Sequence, residues 1–303
     1  VAHLGREGDR RLALFFEELA YANPAFYPID EKKRELDALT REIEHDKILI
    51  SVEELFGWFH LNFANNLFVA DALRRLLPEA RILVVLRRQA DWLESAYKQT
   101  LRQYSGESIN GFLRLRKGAF ETRRLYPGRP QINVREVDYF TYIRNYVELF
   151  GRQNVRVLPY EMLAGDADGF LKEFCGFLEA PTVPAPAITT ANRGYSRLSG
   201  WLARALNRFM INEYHGHGVI PERPFHDWFL VRRDRGLFFR LLAGLSGRMN
   251  LNYLLEHMLD RLIHADAKFI SDEKRRAIFH MHAQSNRKLD QEYDLGLGDF
   301  GYY

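Results

Sequence analysis

Arg87 and Ser95 stand eight residues apart in RRQADWLES, and their surroundings suit an anionic ligand. An arginine at the end of an apolar run offers a forked set of N–H donors. A hydroxyl on the helix that follows adds another donor where the backbone dipole favours negative charge. Arg88 comes next in the chain, either as a further contact to such an anion or as the partner of an acid. Elsewhere, Glu53 and Glu54 close the apolar run KILISV, and His3 is the one chemical handle near the start of the chain. Glu53 reads either as a carboxylate near cationic groups in a cleft or as the opening residue of the next helix, where an acid is favoured.

The elements that must position these residues are legible from periodicity. Ile82 to Leu86 is an uninterrupted apolar run, which predicts a strand buried on both faces of a parallel sheet. Asp91 is expected to cap the next helix, with Glu94 in capping-box position and an apolar stripe through Leu93, Ala96, Tyr97, Leu101 and Tyr104. At about 100° per residue Ser95 falls opposite that stripe. Arg87 then leaves the carboxyl end of a strand, where open α/β sheets bind ligands.

A second strand is predicted at 47–52 and a helix in NLFVADALRRLLP, spaced at Leu67, Ala70, Leu73 and Leu77. A right-handed crossover would make the strands at 47–52 and 82–86 parallel neighbours and bring Glu53 and Arg87 to one rim. DYFTYIRNYVELF predicts another helix, stopped by Gly151, and Val155 to Leu158 a third strand, followed by Tyr160 and Glu161. Residues 1–46 read as helical. The alternation implies an α/β fold with a doubly wound, mainly parallel sheet and a helical C-terminal portion.

The chain has 303 residues, 47% of them hydrophobic, enough for a substantial core. Composition changes at the Pro-rich EAPTVPAPAITT, so the expected organisation is an α/β core over 1–179 and a strap with helices over 180–303. The single cysteine, Cys175, excludes an internal disulfide framework; set in FLKEFCGFL, it reads as a buried thiol. No apolar run is long enough to span a membrane. A net charge of +3 is unevenly spread: residues 81–135 hold twelve Lys and Arg against four acids. That block is a candidate surface for an anionic ligand, and without a recognisable binding motif it does not point to nucleic acid. His215 and His217 supply two candidate metal ligands and no third. RRDRGLFFRLLAGLSGRMN is amphipathic and suits either core packing or a membrane surface.

Taken together, RRQADWLES, the pattern FG-x-x-NV-x-V-x-x-YE-x-L over Phe150 to Leu163, and the ending QSNRKLDQEYDLGLGDFGYY resemble the sulfotransferases that use 3′-phosphoadenosine 5′-phosphosulfate (PAPS), especially their bacterial and carbohydrate-modifying branches. The resemblance implies a P-loop type of nucleotide-binding fold, with Arg87 and Ser95 holding the donor's 3′-phosphate and Arg88 assisting. It further implies a general base near the same rim, Glu53 first, His3 second and Glu54 third, with Asn192 and Ser196 lining the donor or acceptor cleft. The expected reaction moves a sulfuryl group from PAPS to a hydroxyl or amine of a glycan or glycolipid, without a metal. An ATP-dependent kinase-like transferase and a noncatalytic binder of anionic glycans are the alternatives. The lone cysteine fits a cytoplasmic enzyme, either free or peripheral to the inner membrane. One departure stands out: neither PKTGTTSL nor G-x-x-x-x-G-K-[ST] occurs in the sequence. The expectation is that the strand, loop and helix bearing it precede Val1; a protein lacking them would bind without transferring.

Overall fold

A computed structural model describes residues 2–4, 10–41, 43, 47–59, 62–103, 105–122, 130–182, 195–211, 220–221 and 268–303. In chain order the elements begin with β1 (Ala2–Leu4), α1 (Arg10–Tyr21), α2 (Ile29–Arg41) and β2 (Ile48–Ile50). A 3₁₀ turn (Glu53–Phe56), α3 (Asn66–Leu76), β3 (Ile82–Leu86), α4 (Gln89–Arg102) and α5 (Ile109–Phe112) come next. After them run β4 (Leu115–Arg116), β5 (Ala119–Phe120), α6 (Tyr139–Phe150), β6 (Val155–Pro159), α7 (Tyr160–Gly165) and α8 (Ala167–Leu178). The remaining described elements are α9 (Arg197–Asn207), β7 (Met210–Ile211), β8 (Ile220–Pro221) and α10 (Asp272–Tyr293). Mixed α/β structure with short parallel ladders is therefore what the sequence produces.

Two units gather these elements, one from Val1–Arg88, Arg135–Ala187 and Phe279–Tyr303, the other from Gln89–Val134 and Ile188–Ile278. Each collects segments far apart in sequence.

In the first unit, β1 pairs with β2 and β3 with β6, both parallel. This corrects two expectations. The strands at 48–50 and 82–86 do not pair with each other, and His3 sits in a strand, opposite Leu49, rather than in a helical N-terminal region. Sequential strands pair only as a tendency, and a three-residue strand is too short for its period to show. The helices supply the reason the fold tolerates this pairing. Val69, Ala70, Leu73 and Leu76 of α3 pack with Leu12, Phe16 and Leu19 of α1 and with Tyr146 and Phe150 of α6. Ile48, Ile50 and Ile82 pack against that same cluster, so β2 and β3 share a core without sharing hydrogen bonds.

The expected faces hold with small shifts. On α3, Ala70 and Leu73 are buried as predicted, but Leu67 is 63% exposed. β3 is buried less than predicted, with Val85 exposed between buried Val84 and Leu86. Gly151 ends α6 at φ +83°, a conformation that costs a side-chain-bearing residue. Cys175 is buried on α8.

In the second unit, α4 buries Leu93, Ala96, Tyr97 and Leu101, the predicted stripe, and exposes Ser95. Tyr104 lies outside the described residues. The helix starts at Gln89, so Asp91 lies inside its first turn and not at its cap. Asp91 and Glu94 instead both receive the guanidinium of Arg275, at 2.5 Å for Asp91. β4 and β5 form an antiparallel hairpin whose loop residues Lys117 and Gly118 both have positive φ, the two-residue turn that matches strand twist.

Candidate functional site

The parallel β3–β6 ladder runs in register from Ile82 opposite Val155 to Leu86 opposite Pro159, so both strands end together. Arg87 and Arg88 leave one strand and Tyr160 and Glu161 leave the other at the same rim. Contacts within the first unit secure that rim. The Tyr139 hydroxyl, at the start of α6, donates to the Arg87 carbonyl at 2.6 Å. The Arg88 backbone N–H donates to Glu161 Oε1 at 3.0 Å, and the Arg88 Nε lies 3.4 Å from the same oxygen. The Tyr302 hydroxyl donates to Glu161 Oε2 at 2.7 Å.

Tyr302 is fully buried, and its backbone carbonyl accepts from the Asn286 side chain at 2.8 Å. Burial first, and then the neighbouring Glu161 carboxylate, push the Tyr302 phenol well above its ordinary range. The phenol therefore stays a proton donor to Glu161 far into alkaline solution.

This arrangement separates the two arginines. Arg88 is an acid-paired residue, one of the two roles open to it from sequence. Arg87 is half-buried, and its guanidinium lies over the Tyr160 ring, 5.1 Å from the centroid. Among the described residues no carboxylate lies within ion-pair distance of it. A guanidinium stacked on an aromatic face keeps its edge N–H groups directed outward, where a planar or tetrahedral oxyanion can meet them. The basic block is otherwise partly neutralised: Arg81 pairs with Glu179, Lys98 with Glu94 and Arg116 with Glu121.

Glu53 opens the 3₁₀ turn just after β2 and is exposed. Its position as the first residue of a helical turn matches the simpler of the two sequence readings. Glu54, beside it, accepts from the Tyr21 hydroxyl at 3.5 Å. For His3 the structure gives the backbone placement in β1 alone. Ser196 is the N-cap of α9, buried, with its hydroxyl accepting from the Ser199 N–H at 3.2 Å. Asn192, His215, His217 and the amphipathic run at 232–250 lie outside the described residues. Among the described residues no three His, Cys, Asp or Glu side chains are grouped to hold a metal ion, and no helix is long and apolar enough to cross a membrane.

Sequence reasoning missed Tyr139 and Tyr302 as parts of this rim and treated Tyr160 and Glu161 as landmarks only. Tyr302 carried a faint signal, since an ending as aromatic as DFGYY must be buried somewhere; its partner could not be read from it.

No protein-family model matches the chain, and no curated protein matches it. The crystal structure of a sulfotransferase from Alicyclobacillus acidocaldarius is similar at 23% identity, covering 59% of this chain and 69% of that one, with a TM-score of 0.37.

Proposed function

We propose that the protein is a PAPS-dependent sulfotransferase acting on a hydroxyl or amine, with a glycan or glycolipid as acceptor. The observation that carries the reading is Arg87: a guanidinium at the carboxyl end of a parallel strand, braced on Tyr160 and without an acid partner among the described residues. It supports the 3′-phosphate role that the sequence resemblance assigns to that position. Ser95, exposed on α4, is the second proposed contact, carried by the resemblance. Arg88 is proposed to hold the rim through Glu161 rather than to touch the donor. In this reading the two parallel ladders belong to a doubly wound sheet of the P-loop type.

In the reaction, the acceptor oxygen or nitrogen forms a bond to the donor sulfur as the bond from sulfur to the phosphate oxygen breaks. Adenosine 3′,5′-bisphosphate leaves with the electron pair, and the acceptor's proton passes to a general base. Glu53 is the proposed base and His3 the second choice. Catalysis of this kind depends on positioning and on balancing charge on the transferred and leaving groups.

Calorimetric titration with adenosine 3′,5′-bisphosphate tests the donor site. Loss of the Arg87 contact should cost about 1.5 to 3 kcal/mol, a tenfold or greater weakening in Arg87→Ala. Unchanged affinity in that variant would sink the assignment. A thermal shift with magnesium and ATP, and none with the bisphosphate, would move the protein to the kinase-like class. Binding of acidic polysaccharide with neither nucleotide would make it a noncatalytic binder.

A further inference from the structure

Helix α9 is turned inside out. Its small and polar residues face the interior of the second unit: Ser199, Ala203 and Asn207 are fully buried and Gly200 is buried beside them. Asn207 donates to the carbonyls of Leu101 and Ser105, both at 2.9 Å. Gly200 lies so close to Phe269 that an added Cβ would come within 2.3 Å of the ring. Of its large apolar residues, Leu198 and Trp201 point the other way, 44% and 58% exposed, while Leu202 and Leu206 are half-buried; Phe209, just past the end of the helix, is 56% exposed. At about 100° per residue Leu198 and Trp201 lie roughly 60° apart on the helix, with Arg197 at the Trp201 edge of that arc, and Arg208, the C-cap, stands directly before Phe209. Both arginines are exposed, whereas Arg204 turns inward to the Tyr97 hydroxyl.

The surrounding sequence has one sign of charge. From Ala180 to Asn212 there are four arginines and no acid or lysine. Exposed Leu, Trp and Phe side chains with arginines along one side complement a surface that is apolar within and negative at its edge, which is the boundary of an anionic bilayer. Trp is suited to that depth because its ring is apolar and its N–H can stay wet. A second copy fits less well: a two-fold interface on this face would set Arg197 and Arg208 against like charges.

We infer that the outer face of α9 and the two residues that follow it, with Leu198, Trp201 and Phe209 as the apolar contacts and Arg197 and Arg208 as the charged ones, dock the protein on anionic membrane surfaces. This stands apart from the sulfotransferase reading and survives its failure. The full chain should cosediment with vesicles of equimolar phosphatidylcholine and phosphatidylglycerol, less at high salt, and not with phosphatidylcholine alone. Trp201→Ser, and separately Arg197→Glu with Arg208→Glu, should each weaken binding by about tenfold or more. Leu14→Ser, an exposed apolar position on α1, should bind like wild type, and circular dichroism should show all variants folded. Equal binding to both vesicles, no binding to either, or α9 variants that bind undiminished would overturn the proposal. A concentration-dependent dimer that Trp201→Ser dissolves, without vesicle binding, would make a second copy the occupant and overturn it too.

Discussion

The hydroxyl of Tyr302, next to last in the sequence, donates to Glu161 Oε2 at 2.7 Å across 141 residues of chain. Glu161 in turn accepts the Arg88 backbone N–H, so the C-terminal tail fixes the rim from which Arg87 projects. Removing that hydroxyl in Tyr302→Phe keeps the buried ring and deletes the donor to a charged group. Denaturant unfolding should show a loss of about 1.5 to 3 kcal/mol. If Tyr302→Phe unfolds like wild type, the tail does not hold Glu161.

Arg87 and Arg88 should behave differently although they are neighbours. Arg87→Ala removes a stacked side chain with no ion pair among the described residues, and stability should stay within about 0.5 to 1 kcal/mol of wild type. Glu161→Ala leaves the Tyr302 hydroxyl and the Arg88 backbone N–H without their acceptor and should cost about 2 to 4 kcal/mol. The check is a pair of urea titrations. The proposed donor role of Arg87 predicts that Arg87→Ala weakens binding of adenosine 3′,5′-bisphosphate more than Arg88→Ala does.

Arg275 spans Asp91 and Glu94, and Glu94 is 5% exposed. Although burial opposes its charge, hydrogen bonding to Asp91 and attraction to both carboxylates raise the Arg275 pKa. Arg275→Met should destabilise by about 2 to 4 kcal/mol, because the buried Glu94 loses its closest partner. Arg275→Lys should recover only part of this, since one ammonium cannot bridge two carboxylates as a planar fork does. Thermal melts of the two variants provide the comparison.

Stability should decline in alkali. Burial pushes Tyr27 and Tyr97 up to about 12 from 10.0, and Tyr142 and Tyr146 shift in the same direction for the same reason. The unfolded chain therefore gives up these protons first. The contribution is fully present below pH 10 and is lost as pH rises toward 12. Tyrosinate absorbance and circular dichroism should change together in that window. Tyrosines that titrate near 10 with the fold intact would contradict the burial.

The sequence by itself determined the strands at β3 and β6, the apolar stripe of α4, the outward position of Ser95, the stop at Gly151 and the buried setting of Cys175. These follow from short-range periodicity and backbone preference, which a local window contains. Tertiary structure decided the pairing of β3 with β6 rather than with the strand before it, and the use of Asp91 and Glu94 as ligands of Arg275 rather than as a helix cap. It also decided which of two adjacent arginines is spent on Glu161 and which rests on Tyr160. Those choices join residues tens to hundreds of positions apart. Burial and charge pairing act through space, so no spacing along the chain encodes them.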